Sequence, residues 1–169
     1  KMAMDSLGIV GHAYRDGECL DATNDDWYCY YLQGALDKDI IPKEMIENCN
    51  VTKVTKTLAE ATDDKEAVTT DVNVYTGKFD GDKPITREEM AAIAVRCKNY
   101  KMRRLTDWDN ERRYPIFSFK DSDEIDEKYI SDVVEAYNLN YIDGMEDGRF
   151  APKENLTRAQ AAVVMNNLK

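Results

Sequence analysis

The sequence predicts an all-α fold built from tandem helix-loop-helix modules, the first of which carries an insertion. Three observations favour this fold class: an internal repeat, apolar residues spaced as on one face of a helix, and the same helix-start pattern in both copies. A repeat of this kind indicates small modules that bury their apolar faces against one another.

The repeat consists of two pairs of similar segments. Segment 79–93 aligns with 150–164 at an offset of 71 residues, with phenylalanine, threonine, arginine and a pair of alanines in register. Segment 28–41 aligns with 129–142 at an offset of 101 residues. Because the second offset exceeds the first by 30, the first copy carries about 30 extra residues between its two halves.

Each copy is expected to form a helix, a loop and a second helix. In the second copy Ile130, Val133, Val134 and Tyr137 have the i, i+3, i+4, i+7 spacing of one buried helical face. Pro152 in the following loop prevents the next helix from starting early. The pattern therefore predicts two helices separated by a turn-rich loop.

Both second helices begin with a capping box. Thr86 is followed three residues later by Glu89, and Thr157 by Gln160. In this motif the threonine hydroxyl accepts a hydrogen bond from the N3 amide, and the N3 side chain accepts one from the cap amide. The threonine and the Glu or Gln are thus explained by their role in capping the start of the helix.

The capping box does not explain the arginine that follows each threonine. Arg87 and Arg158 stand at the first helical position, where the positive end of the helix dipole disfavours a cation by a few tenths of a kcal/mol. Two explanations are equally open from the sequence. The guanidinium binds an anionic ligand, or it pairs with a neighbouring acidic side chain.

At these residues the chain resembles the S-layer homology (SLH) family. The second copy, 114–169, is similar to a complete module: 119–121 resembles the Phe-x-Asp start and 129–142 the first helix. Residues 150–152 resemble the loop, and 156–160, Leu-Thr-Arg-Ala-Gln, the signature that opens the second helix. The resemblance implies that the modules pack as a pseudo-three-fold helical bundle.

The resemblance also implies a division of the chain. The expected parts are a C-terminal helix of a preceding module at 1–20, a module with its insertion at 21–100, a charged linker at 101–113 and a second module at 114–169. The insertion is placed at about 44–76, where we predict a helix over 51–61 followed by a short strand. It belongs to no part of the module, so it either extends or occludes a ligand groove there.

The function implied by the resemblance is non-catalytic anchoring at the bacterial cell surface, in the cell wall or S-layer. SLH modules bind secondary cell-wall polysaccharide linked to peptidoglycan, often through a terminal sugar whose pyruvate ketal carries a carboxylate. Arg158 is predicted to be the strongest binder because its module is intact. The expected ligand-binding residues are Arg87, Arg158, Thr86, Thr157, Lys83, Lys153, Asp147, Gly148 and Trp27.

An alternative is a protein-protein assembly module of a surface lattice, in which the arginines bridge acidic groups of other modules or S-layer subunits. Salt-insensitive self-association without added polysaccharide would favour that alternative. An enzyme is not expected, because no pair among the 33 acidic residues has a spacing that singles it out as a glycosidase pair.

The composition excludes further classes of function. The 169 residues contain 23 Lys and Arg against 33 Asp and Glu, a net charge of −10, which disfavours binding to nucleic acid or anionic lipid. No apolar run approaches the ~20 residues of a membrane-spanning helix, so membrane insertion is not expected. With this net negative charge, the chain would have to bind an anionic ligand through short-range contacts with a few lysine or arginine side chains.

The cysteines and the single histidine do not form a recognisable site. Cys19, Cys29, Cys49 and Cys97 include no Cys-x-x-Cys pair, and His12 is the only histidine, so no metal site or cofactor is expected. In a secreted protein up to two disulfides are possible, with three pairings. A buried free thiol at Cys97 is an equally good expectation, because this residue lies on an apolar helical face.

Overall fold

The fold is mixed α/β, so the all-α prediction is wrong. A computed structural model describes residues 5, 7–8, 20–23, 25–59, 67–103 and 119–168. These residues form four α-helices, a two-stranded antiparallel sheet and three short 3-10 turns. In chain order the elements are α1 (Cys29–Asp37), a 3-10 turn (Lys43–Met45), β1 (Glu47–Ala59), β2 (Val68–Lys78), α2 (Arg87–Arg103), 3-10 turns (Ser122–Glu124 and Glu127–Tyr129), α3 (Ile130–Asn138) and α4 (Arg158–Asn167).

The insertion is a β-hairpin, and the helix predicted over 51–61 is wrong. Strands β1 and β2 pair antiparallel from Glu47 opposite Lys78 to Ala59 opposite Val68, with irregularities near both ends. The strands are rich in valine and threonine. Such side chains lose rotamer freedom in a helix and pack well on a pleated ribbon, so they tolerate the strand pairing seen here.

The base of the hairpin is anchored on α1. Tyr75 is buried in a small apolar cluster with residues of α1, and its hydroxyl donates to Asp37 Oδ1 at 3.2 Å. Gln33 Nε2 donates to the carbonyl of Asn73 at 3.1 Å. Gly77 has φ +135°, and a Cβ there would lie 2.6 Å from a strand carbonyl, so glycine is required where the hairpin rejoins the body.

Helix α2 lies at the centre of the larger apolar core. Ala91, Ala92 and Ala94 are fully buried, and their small side chains allow α3 to pack closely against α2. Leu7, in the N-terminal segment, also packs against this core. None of the described helices is long and apolar enough to cross a membrane.

The buried face of α3 differs from the predicted one. Val133 is buried as predicted, but Ile130 and Tyr137 are exposed, whereas Tyr129 and Ala136 are buried. The periodicity identifies a helix correctly here. It does not decide which of two adjacent stripes faces the neighbouring element.

The two copies of the repeat share unusual backbone geometry. Asp39 (φ 56°) and Asn140 (φ 55°) are both left-handed and are related by the offset of 101 residues. Asp80 (φ 54°) and Ala151 (φ 58°) are both left-handed and are related by the offset of 71. Left-handed backbone is rare outside glycine, so the recurrence indicates that both copies form the same turns.

Cys49 and Cys97 are free thiols, and Cys97 is buried, as one of the two expectations held. Burial raises the pKa of Cys97 to about 12. Cys19 and His12 lie outside the described residues. Across the ranges that the structure describes, no group of three or more His, Cys, Asp or Glu side chains is placed to hold a metal ion.

Candidate functional site

Both predicted capping boxes are confirmed. At the start of α2 the Thr86 amide donates to Glu89 Oε2 at 2.9 Å, and the Glu89 amide donates to Thr86 Oγ1 at 3.4 Å. At the start of α4 the corresponding distances between Thr157 and Gln160 are 2.9 and 3.2 Å. The two threonine side chains therefore accept intramolecular hydrogen bonds at the helix starts.

The two helix starts lie side by side. The Arg87 amide donates to the carbonyl of Glu154 at 3.0 Å, and the Leu156 amide donates to the carbonyl of Ile85 at 3.0 Å. These main-chain bonds join the signature of the first copy to the loop before the signature of the second. A surface between the two copies is thereby created next to Arg87.

Arg87 is held by main-chain carbonyls of the second copy. Its side chain is buried (5% exposed), Nε donates to Phe150 O at 2.7 Å, and Nη2 donates to Asp143 O at 2.6 Å. The guanidinium also lies over the Phe150 ring, 5.1 Å from the centroid. Burial lowers the pKa of Arg87, although Glu154, Asp121 and Asp143 oppose this effect. The observed partners are thus carbonyls, which neither explanation from the sequence anticipated.

A groove of about 210 Å³ lies beside Arg87. One wall is the loop that follows α3, and the other is the first half of α4. Nη1 of Arg87 makes no hydrogen bond to any residue that the structure describes, so it remains available as a donor. The lining residues are Arg87, Tyr141, Ile142, Asp143, Gly144, Met145, Leu156, Gln160, Val163 and Val164.

Arg158 and Lys153 do not line this groove. Arg158 is exposed and has no hydrogen bond or ion pair to the described part of the chain. Lys153 Nζ lies 2.6 Å from both Glu88 Oε1 and Asp126 Oδ1. Partial burial alone would lower the pKa of Lys153, but these hydrogen bonds raise it above its usual value. Lys153 therefore joins the two copies through the buried carboxylate of Glu88.

The other predicted site residues are scattered over the surface. Lys83 is exposed in a turn, and Trp27 is exposed with its ring edge-on to that of Tyr28. Asp147 pairs with Arg149 at 2.8 Å, which lowers the pKa of the Asp147 carboxyl. None of these residues contributes to the groove.

Gly148 belongs to the turn beside Asp147. It has φ +85°, which favours glycine, and a Cβ there would approach the side chain of Lys120 at 3.3 Å. Lys120 Nζ also donates to the carbonyl of Asp147. The Asp-Gly pair is thus explained by a turn that Lys120 covers.

Most of the groove was not anticipated from the sequence. Tyr141, Met145 and Val163 line it, yet nothing in their local pattern marks a binding surface. The Asp143-Gly144 pair at this wall of the groove is a sequence typical of a turn. The groove forms between two copies, so one copy of the repeat contains only part of it.

Three longer known proteins are similar to this chain over part of their length. The chain is 37% identical to an endoglucanase of Bacillus sp. (strain KSM-635) over 102 residues, which cover 58% of this chain and 10% of the relative. It is 30% identical to an amylopullulanase of Thermoanaerobacterium thermosulfurigenes over 167 residues, 99% of this chain and 7% of the relative. It is also 30% identical to exoglucanase XynX of Acetivibrio thermocellus over 170 residues, 99% of this chain and 12% of the relative. The chain therefore spans about a tenth of the length of these relatives.

The family assignment rests on the second copy of the repeat. Residues 118–162 match the model of the S-layer homology domain, and no solved structure matches the chain. An S-layer homology domain is a non-catalytic module that indicates anchoring of a surface protein to cell-wall polymers, at the cell surface or in the cell wall. The chain therefore contains an S-layer homology domain at 118–162.

Proposed function

We propose that this chain attaches its parent protein non-covalently to secondary cell-wall polysaccharide linked to peptidoglycan. The groove beside Arg87 is proposed to hold a terminal sugar that bears a carboxylate, such as a pyruvate ketal. The observation that carries this proposal is the state of Arg87, a buried cation that lines a groove of about 210 Å³ with one nitrogen, Nη1, left to donate.

Arg87 is suited to bind a carboxylate because its position is already fixed. The carbonyls of Phe150 and Asp143 hold Nε and Nη2, so little side-chain freedom remains to be lost on binding. A charge-assisted hydrogen bond from Nη1 would form at the wall of a partly buried groove, where such bonds are strong. Gln160 Nε2, which has no acceptor within the described ranges, is a second donor at the same place.

The apolar part of the groove suits the carbon face of a sugar ring. Tyr141, Ile142, Met145 and Leu156 present apolar surface beside the polar atoms. Sugar sites commonly need such a surface together with a small number of placed polar groups. A ligand with one carboxylate and one apolar ring face would therefore satisfy both parts of the groove.

The test is capture on purified wall sacculi, with and without removal of the secondary polymer, using a charge series at Met145. Met145→Glu places a carboxylate in the groove, Met145→Gln is its neutral match in size, and Met145→Lys adds a cation. We expect capture of Met145→Glu to fall at least fivefold below that of Met145→Gln, and Met145→Lys to bind as well or better. Equal capture by all three variants would exclude this groove as the anionic-sugar site.

Removal of the polymer distinguishes anchoring from other adhesion. We expect the parent chain to lose capture when the secondary polymer is stripped from the sacculi. Because the chain carries a net charge of −10, we also expect capture to hold or rise as salt screens its repulsion from an anionic polymer. Capture that is unaffected by stripping would refute the polymer as the ligand.

A second function, assembly with a further module, is favoured by one face of α4. Ala91 and Ala92 of α2 are fully buried, whereas their counterparts Ala162 and Val163 in α4 are exposed, Val163 to 57%. Arg158, the counterpart of the buried Arg87, is exposed as well. We propose that the loop of a further module covers this face, as the second copy covers α2.

This proposal agrees with the division of the chain into modules at 21–100 and 114–169, with a linker at 101–113 and the end of a preceding module at 1–20. Leu7, which packs against the main core, supports a structural role for that first segment. Arg158→Ala tests both possible roles of this arginine. Weaker capture on sacculi without a change in molar mass favours polymer binding by Arg158, and a loss of self-association in light scattering favours assembly.

The parent protein is proposed to carry carbohydrate-hydrolase activity outside this segment. The relatives named above are an endoglucanase, an amylopullulanase and an exoglucanase, and this chain matches about a tenth of each. Hydrolysis of cellulose or starch-type polymers by the full-length protein, together with no hydrolysis by this segment alone, is the expected result.

A further inference from the structure

We propose that the β-hairpin joins two molecules of this chain into a dimer, through the outer edge of β1 in each molecule. Cys49 and Tyr75 anchor the base of the hairpin in an apolar cluster, whereas Val51, Val54 and Val68 are exposed by 39, 40 and 53%. A two-stranded ribbon is only marginally stable in water, and further strands that extend its apolar face stabilise it. Strands supplied by a second molecule would therefore stabilise the outer part of the hairpin.

The outer edge of β2 is already covered near the base of the hairpin. The carbonyl of Asn73 accepts a hydrogen bond from Gln33 Nε2 at 3.1 Å, and the carbonyl of Tyr75 accepts one from the amide of Leu20 at 3.0 Å. Both carbonyls therefore point away from β1. Because main-chain groups at alternate residues of a strand point to the same side, this edge leaves only Thr69 and Asp71 for a further strand.

The outer edge of β1 is open along a longer stretch. Two opposed residues of an antiparallel ladder either bond each other or both direct their main-chain groups outward. Lys53 and Val51 are opposed to Asn73 and Tyr75, so their main-chain groups also point outward. These outward groups have no hydrogen bond within the ranges that the structure describes. The open edge consists of Val51, Lys53, Thr55 and Thr57.

The difference between the two edges determines the symmetry of the pairing. If β1 paired with β2 of the next molecule, the contact would repeat along an open fibre and would meet the covered part of β2. If β1 pairs antiparallel with β1, the same surface is used twice and the dimer is closed by a two-fold axis. The favoured assembly is therefore a four-stranded sheet with the strand order β2-β1-β1-β2.

A register centred on Val54 makes the two β1 edges complementary. In this register Lys53 is opposed to Thr55 of the other molecule, and Val51 to Thr57, which gives about eight hydrogen bonds between the molecules. Val54 is opposed to Val54 across the two-fold axis. Because Val54 is also opposed to Val72 within the hairpin, four valines form one continuous row across the sheet.

The charges of the strands fit the same register. The chain has a net charge of −10, but residues 48–59 include no acidic side chain, so repulsion between two molecules is weakest at β1. Lysine on an edge strand commonly opposes pairing. Here Lys53 would lie in one row with Thr55 and Asp71 of the other molecule, and Thr55 Oγ1 already donates to Asp71 Oδ1 at 2.7 Å.

Other registers are less favourable. Centred on Lys53, the pairing would place the two lysines opposite each other, and like charges in that position destabilise a sheet. Centred on Thr55, it would place Lys56 opposite Val54 and interrupt the row of valines.

The first test compares Thr57→Pro with Thr69→Pro in sedimentation equilibrium. These threonines are exposed and directly opposed, one on each edge of the hairpin. Each proline removes an outward amide and leaves the ladder between β1 and β2 intact. We expect a dimer for the parent chain, a dissociation constant at least tenfold higher for Thr57→Pro, and an unchanged one for Thr69→Pro. Circular dichroism checks that both variants fold.

The second test examines the register with single cysteines and does not disturb the main chain. Opposed residues of a non-hydrogen-bonded pair have Cα atoms about 4.5 Å apart, a separation that a disulfide can span. On mild oxidation we expect Val54→Cys to form a disulfide-linked dimer at least fivefold faster than Val51→Cys, which would be opposed to Thr57. The native cysteines are the same in both variants, so Val51→Cys is the matched control.

The proposal is overturned if the parent chain stays monomeric, if the two proline variants behave alike, or if Val51→Cys crosslinks as fast as Val54→Cys. Loss of the dimer in Thr69→Pro alone would place the contact at β2 and would also overturn it. The outcome is independent of the functions proposed for the groove beside Arg87 and for α4. Met145→Glu and Arg158→Ala should each leave the crosslinking of Val54→Cys unchanged.

Discussion

Asp121→Ala is expected to destabilise the protein much more than Asp21→Ala, although the two carboxylates make equivalent contacts. Asp121 accepts hydrogen bonds from the amides of Phe150 and Ala151, both at 2.8 Å. Asp21 accepts from the equivalent amides of the first copy, at 2.7 and 3.2 Å. The difference is burial, because Asp121 is 5% exposed whereas Asp21 is exposed.

The expected magnitude follows from the fate of the amides. Removal of Asp121 leaves the amides of the buried residues Phe150 and Ala151 without an acceptor, at about 1–3 kcal/mol each, or about 2–6 kcal/mol in total. Water can reach the amides released by Asp21→Ala, so only the net value of two hydrogen bonds is lost, about 1–3 kcal/mol. Domains of this size are stable by about 5–15 kcal/mol, so Asp121→Ala removes a large fraction of the total.

Urea denaturation followed by circular dichroism measures both losses on the same chain. Asp121→Asn is an informative third variant, because its carbonyl oxygen can accept one amide while its NH₂ group faces the other. We expect its loss to be at least half that of Asp121→Ala. Equal losses for Asp21→Ala and Asp121→Ala, or a loss below about 1 kcal/mol for Asp121→Ala, would refute the argument from burial.

Three further predictions concern single side chains. Thr157→Ala should cost about 1 kcal/mol in urea denaturation, because it removes the side chain that accepts from the Gln160 amide, and Thr157→Ser should retain most of the stability. Asp132 has a pKa of about 6 in the folded protein against 3.8 ordinarily, so its contribution to stability is present below pH 3.8 and is lost as the pH rises through 6. Between pH 4 and 7.5 the melting temperature should therefore change less with pH for Asp132→Asn than for the parent. At pH 7 the variant should be more stable than the parent by up to about 3 kcal/mol. An unchanged pH dependence of the melting temperature would contradict this. Finally, the pKa of Cys97 near 12 predicts that iodoacetamide at pH 8 modifies the half-buried Cys49 in the native protein and spares Cys97, as peptide mass spectrometry can show.

The sequence was sufficient for features that depend on neighbouring residues. The capping boxes at Thr86 and Thr157 were predicted correctly, because both partners of each hydrogen bond lie within one helical turn. The insertion was predicted at 44–76 with a helix over 51–61, whereas β1 and β2 form a hairpin over 47–78. Its valines and threonines are compatible with short apolar runs of either kind, and pairing between β1 and β2 decided in favour of strands.

The candidate site could be predicted only in part. Arg87 was singled out because a cation at a helix start is locally unfavourable, and it does line the groove. Tyr141, Met145 and Val163 were missed, because they acquire a common surface only when the loop after α3 meets α4 beside Arg87. No local pattern encodes a surface that two distant segments share.

Arg87 and Arg158 separate what the sequence by itself determined from what the tertiary structure decided. The sequence determined that both follow a capping threonine at the start of a helix, in two copies of one repeat, and that the chain resembles the S-layer homology family. The tertiary structure decided that Arg87 is buried against carbonyls of the second copy while Arg158 is exposed. The physical reason is that capping is satisfied within one turn, whereas the environment of a guanidinium depends on which distant segment packs over it.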